Sequence, residues 1–251
     1  MECRRHAEEL IVADYRRFFV PDIGADVIEI DGEEFHHAVS VLRVRVGEKV
    51  ILSQNTIDEA LGEVTAIGKK SMTVAVTARR TCKNEPKVAV RLITGYLKGD
   101  KTELVVQKAT ELGVSEIVVF SSKNSSAYAS DHKIERLVRV SKEAAKQCGR
   151  SVYPSIVYCD TLQKALEVGS SAENKLFFCE FASGSERDWE GLQGETNLVV
   201  GSEGGFTEEE FELARKMGYG GMTLGNRILR AETAAIAVTT IAMHRLGEMS
   251  L

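Results

Sequence analysis

The chain has 251 residues, 43% hydrophobic and 27% charged, with a formal net charge of -5 at pH 7. No apolar run approaches the roughly 18 residues that span a bilayer, so no membrane-spanning helix is expected, and one large or, more readily, two modest globular domains are. Five scattered cysteines (Cys3, Cys82, Cys148, Cys159, Cys179) without a CxxC pair argue against a zinc site and a disulfide framework, and for a reducing cytoplasm; residues 1–10 lack the apolar stretch of a secretory signal.

In chain order, residues 18–80 read as β-rich. Short β-branched runs at 27–30, 49–52, 60–67 and 71–77 are punctuated by Gly24, Gly32, Gly47, Asn55 and Gly68, a spacing that suggests a small barrel. A helix over 33–42 interrupts them, with Phe35, Val39 and Leu42 on one face. The polar segment 81–86 ends in Pro86 and places the domain boundary there, giving domains 1–86 and 87–251.

From residue 87 apolar runs at 88–94, 116–121, 176–180, 198–201 and 221–224 alternate with helices, the pattern of an α/β domain with a mostly parallel sheet. Asp100 with Glu103 is expected to cap a helix that Gly113 stops; a second runs from Asp131 to Gly149. Thr207 with Glu210 forms a capping box before a helix stopped by Gly218, and an alanine-rich helix covers 231–246.

Charge is unevenly placed. Between 69 and 108 ten bases stand against three acids; between 173 and 212 eleven acids stand against two bases. Such polarity allows a basic RNA surface on an acidic protein. Alternatively, both stretches are solvated faces.

Two loops could carry chemistry. In the first, Val199-Val200-Gly201-Ser202-Glu203-Gly204-Gly205 runs into the capped helix, so backbone can approach a ligand closely. Glu203, Glu208, Glu209 and Glu210 would repel a phosphate there, whereas a cationic sulfonium cofactor such as S-adenosylmethionine suits them. Compensation of the helix dipole also accounts for the three helical glutamates. Gly95-Tyr96-Leu97-Lys98-Gly99-Asp100-Lys101-Thr102 fails as a P-loop, because its second glycine comes one place early. The second loop, Leu224-Gly225-Asn226-Arg227-Ile228-Leu229-Arg230-Ala231-Glu232-Thr233, sets two arginines and a glutamate before a nearly uncharged helix. Charge at such a junction is either a surface cap or a built site, and for Arg230 and Glu232 the alternative to a catalytic role is an internal salt bridge that only shapes the loop.

Together with Arg16-Arg17-Phe18-Phe19, His36-His37-Ala38-Val39, Val41-Leu42-Arg43, Lys98-Gly99-Asp100-Lys101, the Gln107 to Val114 and Glu143 to Arg150 stretches, these loops resemble the SPOUT superfamily of knotted methyltransferases. More narrowly, the chain is similar to the bacterial family that methylates N3 of a uridine in 16S ribosomal RNA, over about residues 16–249. The resemblance implies an amino-terminal PUA-like barrel, a carboxy-terminal trefoil-knotted α/β domain, a homodimer, S-adenosyl-L-methionine as cofactor and no metal. The cofactor would meet Phe178, Glu180, Gly201, Ser202, Glu203, Gly204, Gly205, Leu224, Gly225, Arg227, Ile228 and Leu229. The family usually has proline where Ser202 stands, and residues 1–15 extend ahead of its usual start.

The expected roles are Arg230 for stabilising charge on the base and Glu232 or Glu203 for orienting or accepting the proton. Arg16, Arg17, Arg43, Arg45, Lys98, Lys101, Lys108 and Arg150 are candidates for contact with phosphates of 16S rRNA or the small subunit; His36 and His37 are expected in packing or at the surface. Rival expectations are a SPOUT enzyme acting elsewhere, such as on a tRNA ribose, and a non-catalytic RNA-binding or ribosome-assembly protein.

Overall fold

The computed structural model describes residues 15–122, 130–180, 182, 186 and 188–249; residues 1–14 of the expected extension lie outside them. The chain divides into two compact units, Met1–Glu85 with Ala145–Val152, and Pro86–Ala144 with Tyr153–Leu251.

The first unit holds β1 (Arg16–Phe19), β2 (Val27–Asp31), α1 (Gly32–His36) running into a π-helical turn (His37–Val41), β3 (Lys49–Ser53), β4 (Asp58–Ile67) and β5 (Ser71–Thr81). They form one mixed sheet, β1-β3-β4-β5-β2, in which only the β1–β3 pair is parallel. The strands alternate as a one-sided sheet requires: in β2, Ile28 and Ile30 point inward while Val27, Glu29 and Asp31 face out. Two register shifts in β4 bend the ladder. At Gly62 an added Cβ would lie 2.4 Å from the Val74 side chain, so only glycine lets the strands close there. The ladder ends at β1 and β2, which makes the expected barrel a half-barrel.

The second unit holds β6 (Val90–Gly95), α2 (Lys101–Glu111), β7 (Glu116–Phe120), most of α3 (Asp131–Cys148), β8 (Ser155–Cys159), α4 (Leu162–Val168), β9 (Asn174–Phe178), β10 (Thr196–Val200), α5 (Glu208–Lys216), β11 (Gly220–Met222) and α6 (Ala231–Arg245). All six strands run parallel in the order β11-β9-β10-β6-β7-β8. Both sheet faces are buried, as a parallel sheet demands. Leu92, Leu176 and Leu198 face the layer containing Val105 of α2 and Ala235 and Val238 of α6. Ile93, Phe177 and Val199, one residue on, face Leu166 of α4 and Phe211 and Ala214 of α5. At the amino edge of the sheet Arg91 pairs with Glu116 and, at 2.8 Å, with Glu195, and donates to Asn197 at 2.9 Å. That network ties strand starts together and leaves the opposite edge for ligands.

Two expectations change and a third is met. β1, β8 and α4 were not foreseen as elements. Asp100 occupies the N-cap of α2 but makes no side-chain cap; the Thr102 hydroxyl accepts from Leu97 N–H at 2.9 Å instead. The Thr207–Glu210 capping box forms in full, so Glu210 is spent on the helix end and is buried. No helix among the described residues is long and apolar enough to cross a membrane.

Candidate active site

In a parallel sheet the carboxyl ends of all strands share one edge, where loops can meet around a ligand. Here β10 lies between β6 and β9, and β9 between β10 and β11, so the segments leaving these four strands are neighbours. Backbone packs tightly between two of them: an added Cβ at Gly95, the end of β6, would sit 2.6 Å from Ser202 N. Any side chain at Gly95 would push the turn after β10 out of place.

That turn is built from bare backbone. Gly205 N–H donates to Ser202 carbonyl at 3.0 Å, closing a four-residue reversal, and Gly205 adopts φ +64°, the left-handed region that favours glycine. At Gly201 a Cβ would meet the Phe206 ring at 3.2 Å. The site of an added Cβ on Gly205 is 3.8 Å from a Glu180 oxygen, which brings the exposed Glu180, two residues past β9, to the turn. Phe178 is buried against Trp189, ring centroids 5.6 Å apart. Ser202, standing where proline is expected, is 5% exposed with its hydroxyl unpartnered among the described residues.

The second loop follows β11. Gly225 has φ +92°, and no backbone N–H from Leu224 to Leu229 is donated to another backbone group among the described residues. Such donors need water or a ligand. Leu224 packs on the core, Leu229 is half-buried, and Gly225 and Arg227 are exposed. Ile228 is 92% exposed, an unusual state for an isoleucine and one that contact with a ligand would relieve. Bare turns with open amides, flanked by Glu180 and Glu203, fit a cofactor with a cationic centre and a hydrogen-bonding base.

The charged groups are sorted by geometry. Arg230 is the exposed N-cap of α6, which has no side-chain cap, and makes no ion pair among the described residues; the Arg230–Glu232 bridge weighed above is absent. Glu232 instead faces Lys101, Oε2 to Nζ 3.7 Å, and the same ammonium lies 3.3 Å from Glu203 Oε1. Glu203 Oε1 also accepts Lys98 N–H at 3.0 Å, latching the turn after β10 to the segment before α2. Burial pushes the Glu203 carboxyl up, but Lys98 N–H, its own N–H and the Lys101 ammonium outweigh that and hold it below its ordinary value. A group with a depressed folded-state pKa stabilises the protein above its unfolded pKa and loses that contribution as pH falls through the folded one. The thermal-stability gap between wild type and Glu203→Gln is therefore expected to be constant at neutral pH and to close only below about pH 4.3. A gap unchanged down to pH 3 would count against the latch.

Glu208 and Glu209 stay exposed in the first turn of α5. Glu203 is held by Lys98 N–H and the Lys101 ammonium and Glu210 by the capping box, so these two oppose a phosphate less than the sequence suggests.

The proposed phosphate contacts divide sharply. Arg43, Arg45 and Lys98 are exposed and make no ion pair among the described residues. Arg16 pairs with Glu48 at 3.1 Å and Lys108 with Glu111 at 2.9 Å. Arg17 and Arg150 are 6% and 4% exposed; Arg17 is bound to Glu59 at 2.6 Å and Arg150 to Glu85 at 3.0 Å. These two hold the first unit together and have no surface to offer a phosphate. His36 is exposed and His37 half-buried, its Nδ1 3.5 Å from Lys146 Nζ. Sequence reasoning missed what Gly95 and Lys101 do here, because both contacts join segments about 100 residues apart.

The family model for an RNA methyltransferase domain matches residues 83–243, and that for an RNA methyltransferase PUA domain matches residues 30–77. The ribosomal RNA small subunit methyltransferase E of Bacillus subtilis is 31% identical over 224 residues, covering 84% of this chain and 88% of that protein. This chain belongs to that methyltransferase family. The family member from Rickettsia conorii is 30% identical over 244 residues, 92% of this chain and 96% of its own length. The crystal structure of the Neisseria gonorrhoeae member, bound to S-adenosyl methionine, superposes with a TM-score of 0.85 at 27% identity, covering 92% of this chain and 98% of that one. The half-barrel and parallel α/β unit are thus the PUA-like and methyltransferase parts expected from the resemblance.

Proposed function

We propose that this chain transfers a methyl group from S-adenosylmethionine to N3 of a uridine in small-subunit ribosomal RNA, acting in the cytoplasm as a homodimer with a knotted carboxy-terminal segment. The observation that carries this reading is the pair of bare loops, 201–205 and 224–229, flanking carboxylates at the carboxyl edge of the sheet. The family's named activity and the cofactor held by the Neisseria relative support it.

S-adenosylmethionine supplies an electrophilic methyl on a sulfonium. The backbone of Gly201–Gly205 and Leu224–Leu229, with Phe178 and Glu180 beside them, would hold it. Uracil N3 lies on the pairing edge, so the base must be unpaired or flipped to react. Loss of its proton puts negative charge on the flanking carbonyls. Arg230, exposed at the start of α6 and making no ion pair among the described residues, would stabilise that charge, and Glu232 would accept the proton. Of the expected phosphate contacts, Arg43, Arg45 and Lys98 are exposed, make no ion pair among the described residues and would meet phosphates.

Titration calorimetry should show binding of S-adenosylmethionine and none of ATP, and primer extension should show a stop on small-subunit RNA only when the enzyme and donor are present. Firm ATP binding with no heat from S-adenosylmethionine would overturn the reading.

A further inference from the structure

We propose that Lys101 is a positioning residue for methyl transfer, holding the Glu232 carboxylate where it receives the proton of the substrate base. This rests on the methyltransferase reading above and deepens it.

Three chain segments far apart in sequence meet at one ammonium. Lys101 opens α2, Glu203 lies in the turn after β10, and Glu232 sits in the first turn of α6. Glu232 is largely enclosed, its side chain 13% exposed, and its Oε2 is buried without a hydrogen bond. The Lys101 ammonium at 3.7 Å is the counter-charge facing that oxygen, just outside hydrogen-bond reach. The carboxylate is thereby oriented without being neutralised by a tight contact, and the accessible part of the side chain lies away from Oε2.

The same geometry separates the two carboxylates that sequence left equivalent. Glu203 receives Lys98 N–H and the Lys101 ammonium on one oxygen and is held below its ordinary pKa, which makes it a poor proton acceptor and a good latch. Glu232 receives no hydrogen bond among the described residues. In the reaction the N3 proton moves to a Glu232 oxygen, the nitrogen electron pair forms the new N–C bond, and the C–S bond electrons return to sulfur, leaving a neutral thioether. A lysine placed between two carboxylates has no net positive charge to offer, so the phosphate contact first expected of it is electrostatically disfavoured.

Kinetics of Lys101→Met and Lys101→Arg on small-subunit RNA, with calorimetry and melting of each, test this. Lys101→Met should lower kcat by about 10²-fold, with RNA KM and donor affinity little changed because Lys98 N–H still holds Glu203; Lys101→Arg should restore most of kcat. A phosphate role would instead raise RNA KM, reduce its salt slope by about one and leave kcat intact, which overturns the proposal. Parallel loss of melting temperature and donor affinity in both variants, unrelieved by arginine, overturns it as well. If Lys101→Met does not fold, Lys101→Gln carries the same comparison. A wild type that binds no methyl donor refutes the function itself; an active wild type matched by Lys101→Met refutes this role alone.

Discussion

Arg230→Ala is expected to lower kcat by about 10²–10³-fold, the loss typical of one charge-stabilising donor, while donor affinity stays near wild type. The residue is exposed at the N-cap of α6 and makes no ion pair among the described residues, so its removal leaves no buried charge behind. Melting temperature should hardly move. The uncapped amides of α6 add positive potential beside it, the kind of fixed field that gains strength once a substrate excludes water. Arg230→Lys keeps the charge but not the planar fork and should recover part of the rate. Single-turnover measurements at saturating donor give the decisive number; a rate for Arg230→Ala within a few-fold of wild type would remove Arg230 from the chemistry.

The largest stability effect belongs to the first unit. Glu59 is fully buried and accepts from Arg17 and Arg80, each at 2.6 Å. Glu59→Ala strands the Arg17 guanidinium, whose side chain is 4% exposed and whose other bond is to the Gly149 carbonyl. Breaking one side of a buried pair costs about 3–5 kcal/mol, against about 0–1 kcal/mol for an exposed one. Glu48→Ala, which breaks the half-exposed Arg16 pair, is the internal control. Chemical denaturation of both variants should separate them by several-fold in the loss. Equal losses would show that burial adds nothing to the Arg17–Glu59 bond.

Much of the architecture is readable from local pattern. Helix ends declare themselves through capping chemistry: Thr207 with Glu210 forms its box, and Gly113, Gly149 and Gly218 all stop helices with positive φ. The strands of the parallel sheet announce themselves as short apolar runs, because both their faces are buried. β8 escaped because its burial is only intermediate until Cys159, and α4 because seven residues give the helical period too little length to show. Asp100 misled for a different reason. Its type suits a cap, but its backbone (φ -90°, ψ 5°) is not the extended one a capping side chain requires.

Charge was the poorest guide. Of the bases that make 69–108 look like an RNA surface, Arg79 donates to the carbonyls of Ile23, Gly24 and Ala25, and Arg80, Arg91, Lys101 and Lys108 pair with carboxylates. Composition counts cations; only three-dimensional pairing tells which remain available. The two loops of the candidate site were legible, since glycine and charge at strand ends are local signals. Their meeting through Lys101 was not, because it depends on which strands lie side by side.

The amino-terminal unit includes residues 145–152, reached only after more than half the chain has been made. Glu85 receives Arg150 together with the N–H groups of Ser151 and Val152, and the Ser53 hydroxyl donates to the Ser151 carbonyl. During synthesis, then, the half-barrel waits: its strands can pair early, but Glu85 and Ser53 stay hydrated until α3 has left the ribosome. A fragment cut at Pro86 would keep every strand of the sheet and still be an unfinished body, better studied with 145–152 supplied as a peptide than alone.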